Sequence, residues 1–136
     1  MSILQSLLNH YAYAVILSAH SDSLDTEYNA LADTIIQLQL KSTGLLFSPV
    51  VGCYKGKHEQ SYIVFCNEWA DVDRLEKIAL KGHQQECILV IAASLNIAQL
   101  VYADSVHAIG NKLQQVASTE GLEAYTLVDG VPWAVV

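Results

Sequence analysis

Basic residues are scarce in this chain: seven Lys and Arg stand against 14 Asp and Glu, for a formal net charge of −7. A chain so charged repels phosphate backbones, and its few cations are scattered, which excludes nucleic-acid binding. A negative field attracts cationic ligands without specifying one. Cysteine is sparse too. Cys53, Cys66 and Cys87 form no CxxC pair and are odd in number. All three lie in apolar, strand-like runs, so they read as buried, reduced thiols of a cytoplasmic protein. No membrane span is expected: the longest apolar run, residues 88–103, is interrupted by Ser94, Asn96 and Gln99 and falls short of about 18 unbroken residues. The run over 11–19 has no Lys or Arg ahead of it, so it reads as a strand and not a signal sequence.

Several chemical signatures are missing as well. There is no GxGxxG, no HExxH and no GxSxG, and none of His10, His20, His58, His83 and His107 sits at metal-ligand spacing from another. Residues 52–57 (GCYKGK) superficially suggest a phosphate loop. They have one residue too few between the glycines, His58 in place of Ser or Thr, and a strand-like run following where a helix is needed. No linker, low-complexity stretch or internal repeat interrupts the chain. The expectation is one domain, 1–136, with no metal-ligand pairing.

What the chain does have is apolar side chain: 52% of its residues are hydrophobic, and the mean hydropathy is +0.29. A monomer of this size has difficulty covering so much, so the surplus points to a homo-oligomer, with an unusually apolar core as the plainer alternative.

In chain order, residues 1–10 carry Ile3, Leu4, Leu7 and Leu8 at helical spacing, a short lead-in that packs on a neighbour. Residues 11–20 read as a central strand. Ser23 or Asp25 caps a helix whose Tyr28, Leu31, Ile35 and Leu38 share one face, stopped by Ser42, Thr43 and Gly44. Pro49 argues that the next strand lies at a sheet edge. Asn67 caps a second helix with a buried stripe of Trp69, Val72, Leu75, Ile78 and Ala79, and Gly82 ends it. Strands follow over 86–93 and 97–103, then a weaker third helix over 104–116. A closing hairpin turns at Asp129 and Gly130. The order strand, helix, strand, strand, helix, strand is that of an α+β, ferredoxin-like βαββαβ sandwich with extra C-terminal strands.

The most informative stretch is 45–65. Two β-rich apolar runs flank a polar turn of Lys55, Gly56, Lys57, His58 and Glu59, which reads as a hairpin. It places the Tyr54 phenol and the Glu59 carboxylate at one mouth, two groups able to bind a charged small molecule.

Blocks along the whole chain resemble the phage-encoded enzymes that cleave S-adenosylmethionine, once labelled hydrolases and better described as lyases. They are VILSAHSDSL (15–24), GCYKGK (52–57), EQSYIVFC (59–66), ECILVIAAS (86–94), AQLVYA (98–103) and GLEAYTLVDG with the later Trp (121–133). The resemblance implies a PII-like homotrimer with sites at subunit interfaces, in the host bacterial cytoplasm. It also implies cleavage of S-adenosylmethionine to methylthioadenosine and homoserine lactone without metal or cofactor, serving an anti-restriction role. The family's functional tyrosine and glutamate fall on Tyr54 and Glu59. The resemblance further implies that Ser18, Ala19 and His20, with the backbone around Val51, Gly52 and Cys53, line the substrate site. The competing expectations are a hydrolase giving homoserine and a non-catalytic PII-type ligand sensor.

Overall fold

The computed structural model describes residues 2–136. The chain runs through α1 (Ile3–His10), β1 (Tyr13–Leu17), α2 (Thr26–Thr43), β2 (Leu46–Tyr54), β3 (Lys57–Cys66) and α3 (Trp69–Glu76), the last continued by a π-helical turn over Lys77–Gly82. After β4 (Cys87–Ala92) and a 3-10 turn over Ala93–Leu95 come β5 (Ile97–Tyr102), β6 (Val106–Gly110), β7 (Leu113–Gln115), β8 (Ala124–Val128) and β9 (Val131–Val135). The result is mixed α/β: one sheet of nine strands, in the order β6-β5-β4-β1-β3-β2-β8-β9-β7, antiparallel at every pair.

The two edge strands, β6 and β7, are consecutive in sequence and joined only by Asn111 and Lys112. In a flat sheet those edges would lie eight spacings apart, roughly 38 Å. The three residue steps from Gly110 to Leu113 reach about 11 Å at most. The sheet therefore has to curl until its edges meet. Beside the seam, Lys112 and Val136 extend the β7–β9 ladder by one rung: Asn111 N–H donates to the Val136 carbonyl at 2.7 Å, and Val136 N–H donates to that of Lys112 at 2.9 Å. A Cβ on Gly110 would lie 2.5 Å from the Val135 Cγ1, so only glycine allows this approach.

The curl gives the sheet an inside and an outside, each with its own core. Outside, α2 and α3 cover Val15, Leu17, Tyr62, Val64, Ile88 and Val90 with Ile36, Leu40, Val72 and Leu75. Inside, Leu4 and Leu8 of α1 meet Ile16, Ile63, Phe65, Ile91, Leu113 and Trp133. The lead-in helix thus packs on its own sheet. Met1, part of that expectation, lies outside the described residues.

Local chemistry accounts for the boundaries. The Asp25 side chain accepts from the Tyr28 N–H and starts α2; Gly44, at φ 73°, ends it. Two-residue turns with both φ values positive close two hairpins, Lys55 and Gly56 between β2 and β3, Asp129 and Gly130 between β8 and β9.

Several expectations are corrected. The polar turn is two residues long, Lys55 and Gly56, and not the five of 55–59, so Lys57, His58 and Glu59 belong to β3. β2 is interior, between β3 and β8, not an edge strand; Pro49 is tolerated because the β8 pairing reaches only from Tyr54 to Val51. Residues 104–116 form β6 and β7, not a helix, because the seam needs two short strands there. Asn67 does not cap α3; its Oδ1 accepts from the Ala12 N–H at 2.9 Å, and Glu68 is the cap position without a side-chain bond. Trp69 is 53% exposed and stands edge-on to Tyr13. The α2 face of Tyr28, Leu31, Ile35 and Leu38 is exposed, while Ala32, Ile36 and Leu40 face the sheet. No helix among the described residues is long and apolar enough to cross a membrane. All three cysteines are free: Cys53 and Cys66 are buried, Cys87 half-buried.

Candidate active site

Side chains alternate along each strand, so inner-face positions can be followed from the packed end to the other rim. On β3 they run Phe65, Ile63, Ser61, Glu59; on β2, Val50, Gly52, Tyr54; on β4, Ile91, Leu89, Cys87; on β5, Ala98, Leu100, Tyr102. Every series begins apolar and ends at a titratable side chain: Glu59, Tyr54, Cys87 or Tyr102. The polar ends gather at one rim of the curled sheet.

Glu59 stands opposite Gly52 in the β2–β3 ladder, and Tyr54 opposite Lys57. An added Cβ at Gly52 would meet the Ser61 hydroxyl at 2.9 Å and the Glu59 Cγ at 3.6 Å. The missing side chain therefore leaves bare backbone beside the carboxylate, open to close approach by a ligand. Glu59 is half-buried, and no hydrogen bond or ion pair engages its carboxylate among the described residues. Burial holds its pKa above the ordinary carboxylate value; His20 opposes that shift and Asp22 adds to it. A carboxyl half out of water with no partner is ready to take a cation. Tyr54 is 57% exposed, with the Lys55 ammonium 5.2 Å from its ring centre.

The other anticipated residues have definite places. The Ser18 hydroxyl donates to the Gln60 carbonyl at 2.7 Å and accepts from the His20 N–H at 3.0 Å, so it fixes the bend after β1. Ala19 is buried in the outer core. The His20 carbonyl accepts from the Gln85 amide at 2.7 Å, and its Nε2 lies 3.3 Å from Asp22, placing the ring within electrostatic reach of Glu59. Val51 and Cys53 alternate with Gly52 and Tyr54, so their side chains face the outside and only their backbone reaches the rim. Burial pushes the Cys53 thiol up, which makes it a poor nucleophile. Gly52, Tyr54, Glu59 and His20 come together; the side chains of Ala19, Val51 and Cys53 do not join them.

Residues not anticipated also reach this rim. The Lys57 ammonium pairs with Asp22 at 3.2 Å, tying the β3 start to the loop after β1. Cys87 has its thiol pushed up by burial first, then by Glu86, with Glu59 contributing. Its register partner is Tyr102. The signal for both was the alternation along 87–91 and 98–102, legible only once the inner face was known. Two shallow hollows have other linings: one of about 270 Å³ is bounded by Pro49, Val50, Gln60 and Leu127 together with the anticipated Val51, and one of about 590 Å³ by Leu8, Tyr11, Asn67 and Ser94. Neither hollow is lined by Glu59 or Tyr54, which stand at the rim of the curled sheet. No group of three or more His, Cys, Asp and Glu among the described residues is arranged to hold a metal.

None of the curated proteins matches the chain significantly. A family model described as the S-adenosylmethionine lyase family matches residues 15–136.

Proposed function

Since this chain belongs to the S-adenosylmethionine lyase family, whose members are named as lyases acting on that sulfonium compound, we propose that it cleaves S-adenosylmethionine into 5′-methylthioadenosine and L-homoserine lactone. The observation carrying this reading is the half-buried, unpartnered Glu59 carboxylate beside the bare backbone of Gly52. In the reaction, one carboxylate oxygen of the substrate attacks its own γ-carbon. The carbon–sulfur bond breaks, its electron pair stays on sulfur, and a five-membered lactone closes. The nucleophile is the substrate's own, so no metal, cofactor or activated water is needed. Well-oriented intramolecular attack is worth effective molarities of about 10⁵–10⁸ M.

Charge sets the role of Glu59. Carboxylate and sulfonium neutralise each other as the bond forms, so a carboxylate held against the sulfonium would stabilise the reactant by about 4 kcal/mol at an effective dielectric near 20. Glu59 instead holds the α-ammonium and fixes the bent conformer. The arriving cation offsets the burial cost its carboxylate carries when empty. Tyr54 orients the reacting region by hydrogen bonding, and Ser18 with His20 shapes the adjoining backbone.

The finer architecture belongs to the same proposal: a ferredoxin-like core in a PII-like homotrimer, sites shared between neighbouring copies, and anti-restriction use by a phage in the bacterial cytoplasm. The antiparallel run β4-β1-β3-β2 with two helices on its outer side supports the core. The exposed apolar face of α2 and the open rim at Glu59 support association of copies.

The test is product analysis on purified protein. Methylthioadenosine and homoserine lactone are expected from the first time points, and Glu59→Gln lowers turnover on the order of a hundredfold without changing assembly mass. Homoserine appearing before lactone would make the protein a hydrolase. Binding without loss of substrate would make it a sensor, and wild-type turnover in Glu59→Gln would remove that residue from the mechanism.

A further inference from the structure

The polar rim has a second side. Tyr102 ends the inner-face series of β5 and stands in register with Cys87. Its ring meets His107 of β6 edge-on, with centroids 5.4 Å apart and planes at 80°. Neither residue belongs to either core: Tyr102 is half-exposed and His107 exposed. An aromatic pair held in fixed geometry at the mouth of a curled sheet contributes little to burial and presents a π-surface.

This pair lies at the same end of the inner face as Glu59 and Tyr54: Ile63 and Leu89 both stand level with Ile16 of β1, so the next inner-face residues toward the rim, Ser61 and Cys87, are level with each other, and Cys87 is in register with Tyr102. In a flat sheet β5 and β2 would lie four spacings apart, roughly 19 Å, yet the curl brings the two sides within electrostatic reach. Glu59 acts on the Cys87 thiol. The Tyr102 phenol is raised first by Cys87, and Tyr54 adds to that shift. The opening therefore offers a carboxylate on one side and an aromatic platform on the other.

A sulfonium nucleoside has two matching ends, a cationic amino-acid head and a flat purine. We infer that Tyr102, with His107 fixing its ring, is the platform on which the purine base of the substrate stacks while the amino-acid head lies at Glu59. The assignment rests on the S-adenosylmethionine reading of this rim. It adds a base-recognition subsite formed by β5 and β6.

Methylthioadenosine carries the base without the amino-acid head, so its binding reports this subsite alone and requires no turnover. Calorimetry on the intact protein should show Tyr102→Ala weakening methylthioadenosine by about tenfold or more, as loss of a stacked aromatic does, while Tyr102→Phe stays within about twofold. Glu59→Gln should leave that affinity unchanged. His107→Ala, an exposed change that keeps the fold, should weaken it by about threefold. In saturation-transfer NMR the base protons should receive more saturation than the S-methyl. No methylthioadenosine binding by wild type, equal affinity in Tyr102→Ala, or equal losses in the Phe and Ala variants would overturn the platform. Tyr102-dependent binding in a protein that leaves S-adenosylmethionine intact would overturn the cleavage and keep the platform. Cleavage with Tyr102→Ala affinity unchanged would do the reverse.

Discussion

The inner face of the sheet has two ends made from the same strands, and they behave as different materials. At one end Leu4, Leu8, Phe65 and Trp133 close on one another and exclude water. At the other, Gly52, Tyr54, Glu59 and Cys87 leave the strands uncovered, with a carboxylate half out of water that makes no hydrogen bond or ion pair among the described residues. The packed end fixes the curvature; the open end uses it. A rigid barrel-like wall can hold an unfavourable carboxylate in place because its burial is offset elsewhere.

Three measurements sharpen that contrast, in falling order of effect. Trp133→Ala, at the packed end, should destabilise the fold by about 3–5 kcal/mol, read from the urea midpoint. The smaller loss typical of an exposed residue would mean the inner core is looser than its burial indicates. Gly52→Val, at the open end, should act on activity. Its branches intrude over Glu59, and a displaced substrate costs on the order of a hundredfold in turnover. Unchanged kinetics would show that the bare backbone at Gly52 is not used.

Beside its effect on turnover, Glu59→Gln should give the smallest change in stability, and in the opposite direction. The folded pKa of Glu59 lies above its unfolded value. Its favourable contribution is complete below the unfolded pKa and is lost as pH rises through the folded one. At neutral pH the wild type bears the cost of a desolvated charge, which the glutamine lacks. The variant should melt slightly higher there, with the gap closing as pH falls below the ordinary carboxylate range. For the same reason wild-type turnover should decline on acidification at a pH above that range. A variant melting lower at neutral pH would mean that the carboxylate has a stabilising partner.

Much of this was legible in the amino acids. The turn pairs Lys55 with Gly56 and Asp129 with Gly130, the Asp25 cap and the Gly44 stop act through local backbone preferences, so they announce α2 and both hairpins. Tyr54 and Glu59 stood out by chemistry, and the two-residue turn puts them on one face. What was hidden depends on contacts distant in sequence. Strands β6 and β7 exist because two edges must meet, a demand that no local pattern in 104–116 expresses. α2 carries two apolar stripes, and spacing alone cannot say that Ala32, Ile36 and Leu40 face the sheet. Asn67 looked like a helix cap because its partner, Ala12, is 55 residues away. The reach of Tyr102 toward Tyr54 and Glu59 likewise depends on the curl.

The seam at Asn111 and Lys112 has one more effect. An open sheet of nine strands in so apolar a chain would present two long rows of unpaired amides, a template for edge-to-edge stacking into fibrils. Here the terminal strands are only five and three residues long, and the end of β6 at Gly110 abuts the end of β9 at Val135. The bend that shapes the rim also protects the chain against amyloid, so a bulky replacement at Gly110 would endanger solubility before it touched the chemistry.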